Sequence, residues 1–432
     1  MSEKTILVWF RNDLRIHDNE ILLEAARKAD KILPVYCFDP HYFRTNPSGN
    51  SKTGGLRARF LLESVADLRK NLQNIGGELL IRIGDPAEIL PRLSEEYHVN
   101  EVYHHREVAH EETDISEAVE TALWKIKLNL KHFIGHTLYH KEDLPFPIKD
   151  IPDSFAVFKK KIERDSTVRP CIATPEVIHL PLISNAGKLP TLYELGLDEP
   201  MDDPRAPHQF SGGETSALIQ LERLFLNSDP LSGGKAARMP SINSFSSKLS
   251  PWIALGCISL RHVYWEVTSY HQATHSNQYH ALLLDLLWRD YFRFMFKKHG
   301  QKFIAAKSNE ETTHIPVDNQ DDLLVRWKNG ETGVPIIDAV MHELNATGYI
   351  NNYGRQIVAG FLVHELKVDW TKGAAYFEEK LVDYSPASNW GNWAFIAGVN
   401  DARESRYAIA AQPQAGLVIN NDFIDTWLQQ LS

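Results

Sequence analysis

Four short stretches of this chain hold residue types that could do chemistry together. Residues 383–395 read Asp-Tyr-Ser-Pro-Ala-Ser-Asn-Trp-Gly-Asn-Trp-Ala-Phe, combining a carboxylate, an uncharged amide and oxidisable indole rings. A second stretch, Asn352-Tyr353-Gly354-Arg355-Gln356, precedes them, followed by a lone Trp370. A third, Ser246-Ser247-Lys248-Leu249-Ser250, is a hydroxyl-rich turn with one cation. Successive hydroxyls and backbone N–H groups can ring a diphosphate, with help from the lysine and from the N-terminus of a following helix. In the fourth, Asp285, Trp288 and Arg289 are spaced three and four apart, so they share one side of a helix. A tryptophan so placed can stack on an unstacked base. Taken singly, each stretch also has a plain structural reading: a serine-rich turn before a helix, or tryptophans in a core.

The elements that must position these residues fall into two regimes. Before residue 139, apolar β-forming runs at 5–10, 31–38, 78–83, 101–106 and 132–138 alternate with helical patterns at 19–29, 55–72, 86–97 and 111–128. Strands separated by helices predict a parallel, doubly wound sheet. No glycine-rich dinucleotide fingerprint and no P-loop follows the first run, which argues against an NAD or simple nucleoside-triphosphate site. From 214 onward the pattern is helical, at 214–226, 262–269, 278–299, 321–328, 334–348, 355–366, 372–381 and 422–431. Prolines punctuate the stretch between. The expected layout is an α/β domain over 1–138, a connector over 139–209 and an all-α domain over 210–432.

A 432-residue chain with 43% hydrophobic residues can build sizeable cores. The net charge of −10 gives no global attraction to nucleic acid, so a basic groove would have to be local. Candidate clusters are Lys159-Lys160-Lys161 with Arg164, then Arg289, Arg293, Lys297 and Lys298, and then Arg403 with Arg406. Three scattered cysteines, Cys37, Cys171 and Cys257, have no metal-site spacing and no disulfide framework. With no signal peptide and no membrane-length apolar run, a soluble, cytoplasmic protein is expected.

The longer motifs resemble the photolyase/cryptochrome family. Trp9-Phe10-Arg11-Asn12-Asp13-Leu14-Arg15-Ile16-His17-Asp18-Asn19 is similar to its opening signature, and reads physically as a strand end followed by a charged turn that packs two domains. Leu144-Pro145-Phe146-Pro147, Pro152-Asp153-Ser154-Phe155 with Phe158-Lys159, and Phe210-Ser211-Gly212-Gly213-Glu214 resemble the DASH branch in particular. The resemblance implies an α/β domain joined to a helical FAD domain. Ser246, Ser247, Lys248, Leu249 and Ser250 match the loop around the flavin diphosphate. Asp285, Arg289, Asn352, Arg355, Asp383, Tyr384, Ser385 and Asn389 match the flavin surroundings, with Arg355 paired to Asp383 and Asn389 facing the ring. Trp288, Phe395, Asp285, Asn352 and Gln356 match the surface that receives a pyrimidine dimer, and Trp393 and Trp370 match a tryptophan relay. Glu107, in His105-Arg106-Glu107, matches a contact to a 5,10-methenyltetrahydrofolate antenna.

Several positions depart from the family pattern. Val317 stands where the third relay tryptophan belongs and cannot be oxidised, so the relay should stop short or use another ring. Ser385 replaces an aspartate, Asp285 a glutamate, and Phe395 a tyrosine or tryptophan. A phosphate-contacting tyrosine some way upstream of Ser246 is absent, Gly233-Gly234 lying there instead, which predicts weakened flavin binding. The function implied is blue-light repair of cyclobutane pyrimidine dimers, chiefly in single-stranded or locally unpaired DNA, where base extrusion is least costly. A blue-light sensor with little repair is the alternative. A monomer is expected.

Overall fold

The computed structural model describes residues 3–46, 49–206, 210–226, 246–274, 279–304, 320–399 and 421–429. Five strands, β1 (Thr5–Phe10), β2 (Lys31–Phe38), β3 (Leu80–Ile83), β4 (Glu101–His105) and β5 (Leu130–Phe133), form one sheet in the order β3-β2-β1-β4-β5. Every pairing is parallel. Each crossover is a helix: α1 (Glu20–Lys28), α2 (Gly55–Asn74), α3 (Pro86–Glu96) and α4 (His110–Lys125).

All six residues of β1 are buried because the sheet is covered on both faces, which is why these strands read as unbroken apolar runs. Period-two alternation divides them. Leu7 and Trp9 face one core with Leu90, Leu93, Val119 and Leu123 of α3 and α4. Ile6, Val8 and Phe10 belong to the other core, which continues into the helical half through Trp252, Leu286 and Phe292.

Local chemistry sets the element boundaries. Asn19 caps α1 by accepting from Leu22 N, and Asp85 caps α3 from Ala87 N with Pro86 in the first turn. The third strand begins later than expected, at Leu80, because the Leu79 N–H bonds the Glu78 carboxylate. The fifth lies at Leu130–Phe133 rather than 132–138. Its expected continuation leaves the ladder, and the N–H groups of Leu138 and Tyr139 both donate at 2.9 Å to Asp290, far along the chain.

The connector carries an unexpected helix, α5 (Phe155–Asp165), anchored by Phe158 and Ile162. It also shields the sheet edge, since Ile81 N on β3 donates to Ala186 O at 2.8 Å. The helical half comprises α6 (Glu214–Leu226), α7 (Ser250–Ala254), α8 (Leu260–Thr274), α9 (His280–His299), α10 (Gln320–Asn329), α11 (Pro335–Thr347), α12 (Asn352–Gly360), α13 (Trp370–Lys380), α14 (Pro386–Ile396) and a last helix at Asn421–Leu428. A π-helical turn, Phe361–Glu365, follows α12 where an unbroken helix was expected. Neither α7 nor α14 is legible from apolar periodicity. The first is one turn long, and the second is buried on several sides. No helix among the described residues is long and apolar enough to cross a membrane.

The two halves meet on the charged turn that follows β1. Leu14 N donates to Leu255 O, and Arg15 Nη1 to Gly256 O at 2.8 Å. Arg261 holds both oxygens of Asp18, at 2.6 and 2.9 Å, while Glu214 accepts from Ile16 N and His17 N. At Gly256 the backbone has φ +64, and a Cβ there would sit 1.9 Å from Asn12 O. Glycine is therefore required by both conformation and space. Gly256→Ala should destabilise the fold by about 2 kcal/mol or more. Urea unfolding would measure it, and an unchanged midpoint would mean that the junction yields freely.

Candidate functional site

A cavity of about 290 Å³ opens in the helical half, walled by four segments that are remote in sequence. It gathers Ser246, Ser247 and Ser250; Asp285, Trp288 and Arg289 of α9; Asn352, Arg355 and Gln356 of α12; and Asp383, Tyr384, Ser385, Asn389, Trp393 and Phe395 at and within α14. Arg355 Nη2 donates to Asp383 Oδ2 at 2.7 Å, and Ser250 Oγ donates to the same oxygen at 2.5 Å. Burial opposes the Arg355 charge, but Asp383 more than offsets it and raises its pKa. The other carboxylate oxygen, Asp383 Oδ1, is buried without a partner among the described residues. A buried acceptor in that state calls for a donor such as a heterocycle N–H.

Asn389 is held by two helices: its Nδ2 donates to Ala374 O of α13 at 3.0 Å and its backbone N–H to Ser385 O, at the start of its own helix, at 2.8 Å. Together with the hydroxyl-rich turn, these groups fit a ligand that has a polar heterocycle at one end and a diphosphate at the other. FAD is such a ligand.

Trp288 lines the cavity, and its ring is stacked on Phe155 of α5, with centroids 3.5 Å apart and planes 11° from parallel. Phe155 is not among the cavity-lining residues, so it backs the indole. Phe395 meets Trp288 edge-on at 5.8 Å. This backing residue was visible in sequence only as part of a motif, because its contact lies across the connector.

Other expected site residues lie off the cavity. Leu249 is fully buried core. Lys248 takes a left-handed φ of +53, is half-buried, and has Glu343 as its opposing charge. Trp370 packs edge-on against Trp390 at 5.8 Å, whereas Trp393 meets Phe377 at 5.1 Å and Trp327 at 6.3 Å. Val317, Gly233-Gly234, Arg403 and Arg406 lie outside the described residues. The helix N-terminus expected behind the serine turn is only the five-residue α7. Of the basic cluster on α9, Arg289 donates to His136 O and Arg293 is buried on Glu107, so these two form no open groove.

A second cavity, of about 400 Å³, lies where the sheet meets the helical half. It is walled by the C-terminal ends of β1 and β2, by the start of α4, and by Glu378, Tyr384 and Trp390. Strand order reverses between β1 and β4, so this is the crevice where open α/β sheets bind ligands. Tyr384 belongs to the walls of both cavities, and its hydroxyl accepts from Trp390 Nε1 at 3.2 Å.

Glu107, expected as an antenna contact, lines neither cavity. It is 2% exposed and takes Arg293 Nη2 at 2.7 Å and Asn12 Nδ2 at 3.0 Å, with His136 at 3.3 Å. Burial would raise its pKa, but His136, Arg293 and Arg11 hold it well below the usual carboxylate range. Glu112 does line the second cavity. Burial and the Glu107 charge push it up to about 8, against Arg11 and Arg293.

Residues 6–177 match the DNA photolyase family, and residues 282–432 match the FAD binding domain of DNA photolyase. A cryptochrome DASH of Gloeobacter violaceus is 42% identical over 100% of this chain and 87% of its own length. The crystal structure of a Synechocystis cryptochrome superposes with a TM-score of 0.88 at 38% identity, over 99% of this chain and 89% of that one. An archaeal photolyase from Sulfolobus tokodaii, described with two FAD molecules and a novel light-harvesting cofactor, gives 0.76 at 25% identity, over 99% and 90%.

The raised Glu112 carboxyl has a consequence for stability. The folded chain keeps a proton there that the unfolded chain releases near 4.5. That contribution is fully present below the unfolded value and is lost as pH rises through about 8. Glu112→Gln stays neutral throughout, so it should flatten the decline. Across roughly pH 5.5 to 8.5 the wild type should lose about 3 kcal/mol more than the variant in urea unfolding. Equal losses would mean that Glu112 is already ionised in the folded chain at the lower pH.

Proposed function

Because the chain belongs to the photolyase/cryptochrome family, and within it to the DASH-type cryptochromes, we propose that it repairs cyclobutane pyrimidine dimers in DNA with blue light, acting mainly on single-stranded or locally unpaired sites. The observation that carries this reading is the convergence on one cavity of the serine turn, the Arg355–Asp383 pair, Asn389 and the Trp288–Phe395 surface. When bound there, FAD supplies the light-driven electron that opens the cyclobutane ring.

The remaining work falls to the chain's own residues. Ser246 and Ser247 line the diphosphate end, while the Ser250 hydroxyl is given to Asp383. Asp383, fixed by Arg355 and Ser250, offers its open Oδ1 to a ring N–H, and Asn389 presents an uncharged amide that adds no proton to the heterocycle. Trp288 receives an extruded pyrimidine dimer on the ring face opposite Phe155, and Phe395 closes one side. Asp285 and Gln356, at the cavity wall, hydrogen-bond the bases. Backing Trp288 with Phe155 holds the platform in place before a base arrives, which lowers the cost of ordering it. Extrusion costs a few kcal/mol from a duplex and less from an unpaired strand, which supports the single-strand preference.

Trp393, buried against Phe377 and Trp327, begins the internal electron relay, and Trp370, packed edge-on against Trp390, is its next expected member. The antenna pigment, for which 5,10-methenyltetrahydrofolate is the expected species, belongs in the second cavity rather than at Glu107, whose carboxylate is already engaged by Arg293. Support comes from that cavity's position at the strand-order reversal and from the light-harvesting cofactor described for the Sulfolobus relative.

The direct test is illumination of FAD-loaded, chemically pre-reduced protein with a thymine-dimer oligonucleotide, both single-stranded and duplex. Repair in light only, faster on the single strand, is expected. Its absence with reduced FAD in place would turn the reading to a blue-light sensor. Separately, Trp393→Phe should slow photoreduction of the bound flavin about tenfold or more while sparing repair by pre-reduced protein. Unchanged photoreduction would remove Trp393 from the relay.

A further inference from the structure

Tyr349 sits between α11 and α12, just after the left-handed Gly348 that ends α11, so a tight turn delivers it to the main cavity. Its ring is 9% exposed, packed on Phe210 at 5.1 Å, with the Arg355 guanidinium 5.5 Å from its centroid. Its hydroxyl lies 2.6 Å from Ser246 Oγ. Ser246 Oγ in turn accepts the Lys248 backbone N–H at 3.3 Å, and that backbone is in the left-handed region.

A hydroxyl has one proton to give. If Ser246 gives its proton to Tyr349, the Tyr349 proton is left for the cavity. The neighbouring Ser250 hydroxyl is already committed to Asp383. With that polarity the two links run from Lys248 N–H through Ser246 to Tyr349 and end in a donor beside the Arg355 guanidinium. Burial raises the phenol's pKa, so it stays protonated and able to donate.

We propose that Tyr349 is a cofactor-binding residue whose hydroxyl donates to a phosphoryl oxygen of a nucleoside-diphosphate moiety, oriented by Ser246. The assignment rests on the reading of this cavity as the FAD site. A diphosphate suits it because it only accepts hydrogen bonds and carries a charge that the nearby Arg355 guanidinium complements. The residue is remote in sequence from the serine turn, and its part in the site comes from the fold alone.

The experiment titrates FAD, and separately ADP, into flavin-free full-length wild type and Tyr349→Phe, with melting of both proteins before ligand is added. Loss of one hydrogen bond to a charged group should weaken both ligands about ten- to a hundredfold. The ligand-free melting temperatures should stay together, because the variant keeps the ring and its packing. Unchanged affinities would overturn the assignment, as would a weakening matched by a lower melting temperature, since that would make the hydroxyl a brace for the loop. Failure of the wild type itself to bind FAD would instead overturn the reading of the cavity.

Discussion

The structure depends on the burial of charge where the end of the sheet meets the helices. Arg15, Asp18, Glu107, Glu214, Asp290 and Arg293 are all buried there. An isolated ion in such a place costs several kcal/mol, so each must find its partner from the other half of the chain. Arg261 meets Asp18, Arg293 meets Glu107, and the Leu138 and Tyr139 amides meet Asp290. Asp290 shows how finely this is balanced. Burial raises its pKa to about 7 even though two backbone N–H groups stabilise its charge. Requirements of this kind fix the relative placement of the halves more sharply than apolar contact can, because hydrophobic packing tolerates sliding and a buried ion pair does not.

That junction decides where both cavities can be. The second cavity is bounded by strand ends on one side and by α13 and α14 on the other, so it exists only while the halves stay docked. The main cavity is built within the helical half, but Arg289, in its wall, is steadied by the His136 carbonyl from the segment after β5. Burial and the nearby Arg293 lower the pKa of Arg289 to about 10, and it still carries its charge at neutral pH. The α/β half therefore contributes to the electrostatics of a site it does not line.

Much of this was legible in the sequence, for identifiable reasons. Strands buried on both faces give unbroken apolar runs, and the helices between them carry their own caps, so β1 and β2 fall where they were expected. Motif residues such as Arg355 and Asp383 meet as the resemblance implied, at 2.7 Å. What escaped was whatever depends on distant partners. The fifth strand stops early for the sake of Asp290, Glu107 turns inward to Arg293, and Phe155 finds Trp288 from within the connector. Nothing local at those positions signals the choice. The same holds for α14, whose buried small and aromatic residues hide its period, and for Tyr349, which looks like one more core aromatic.

Tyr384 is one ring in two walls. It is anchored by Trp390 at its hydroxyl and covered by the Arg57 guanidinium 4.6 Å from its centroid. A ligand that shifts it from one side changes the shape offered on the other. Such an effect is mutual by thermodynamic linkage: whatever factor an occupant of one cavity imposes on binding in its neighbour, the neighbour's occupant must impose in return. The two chambers thus share a wall at a single side chain, and only an occupant that displaces that ring would make their affinities interdependent.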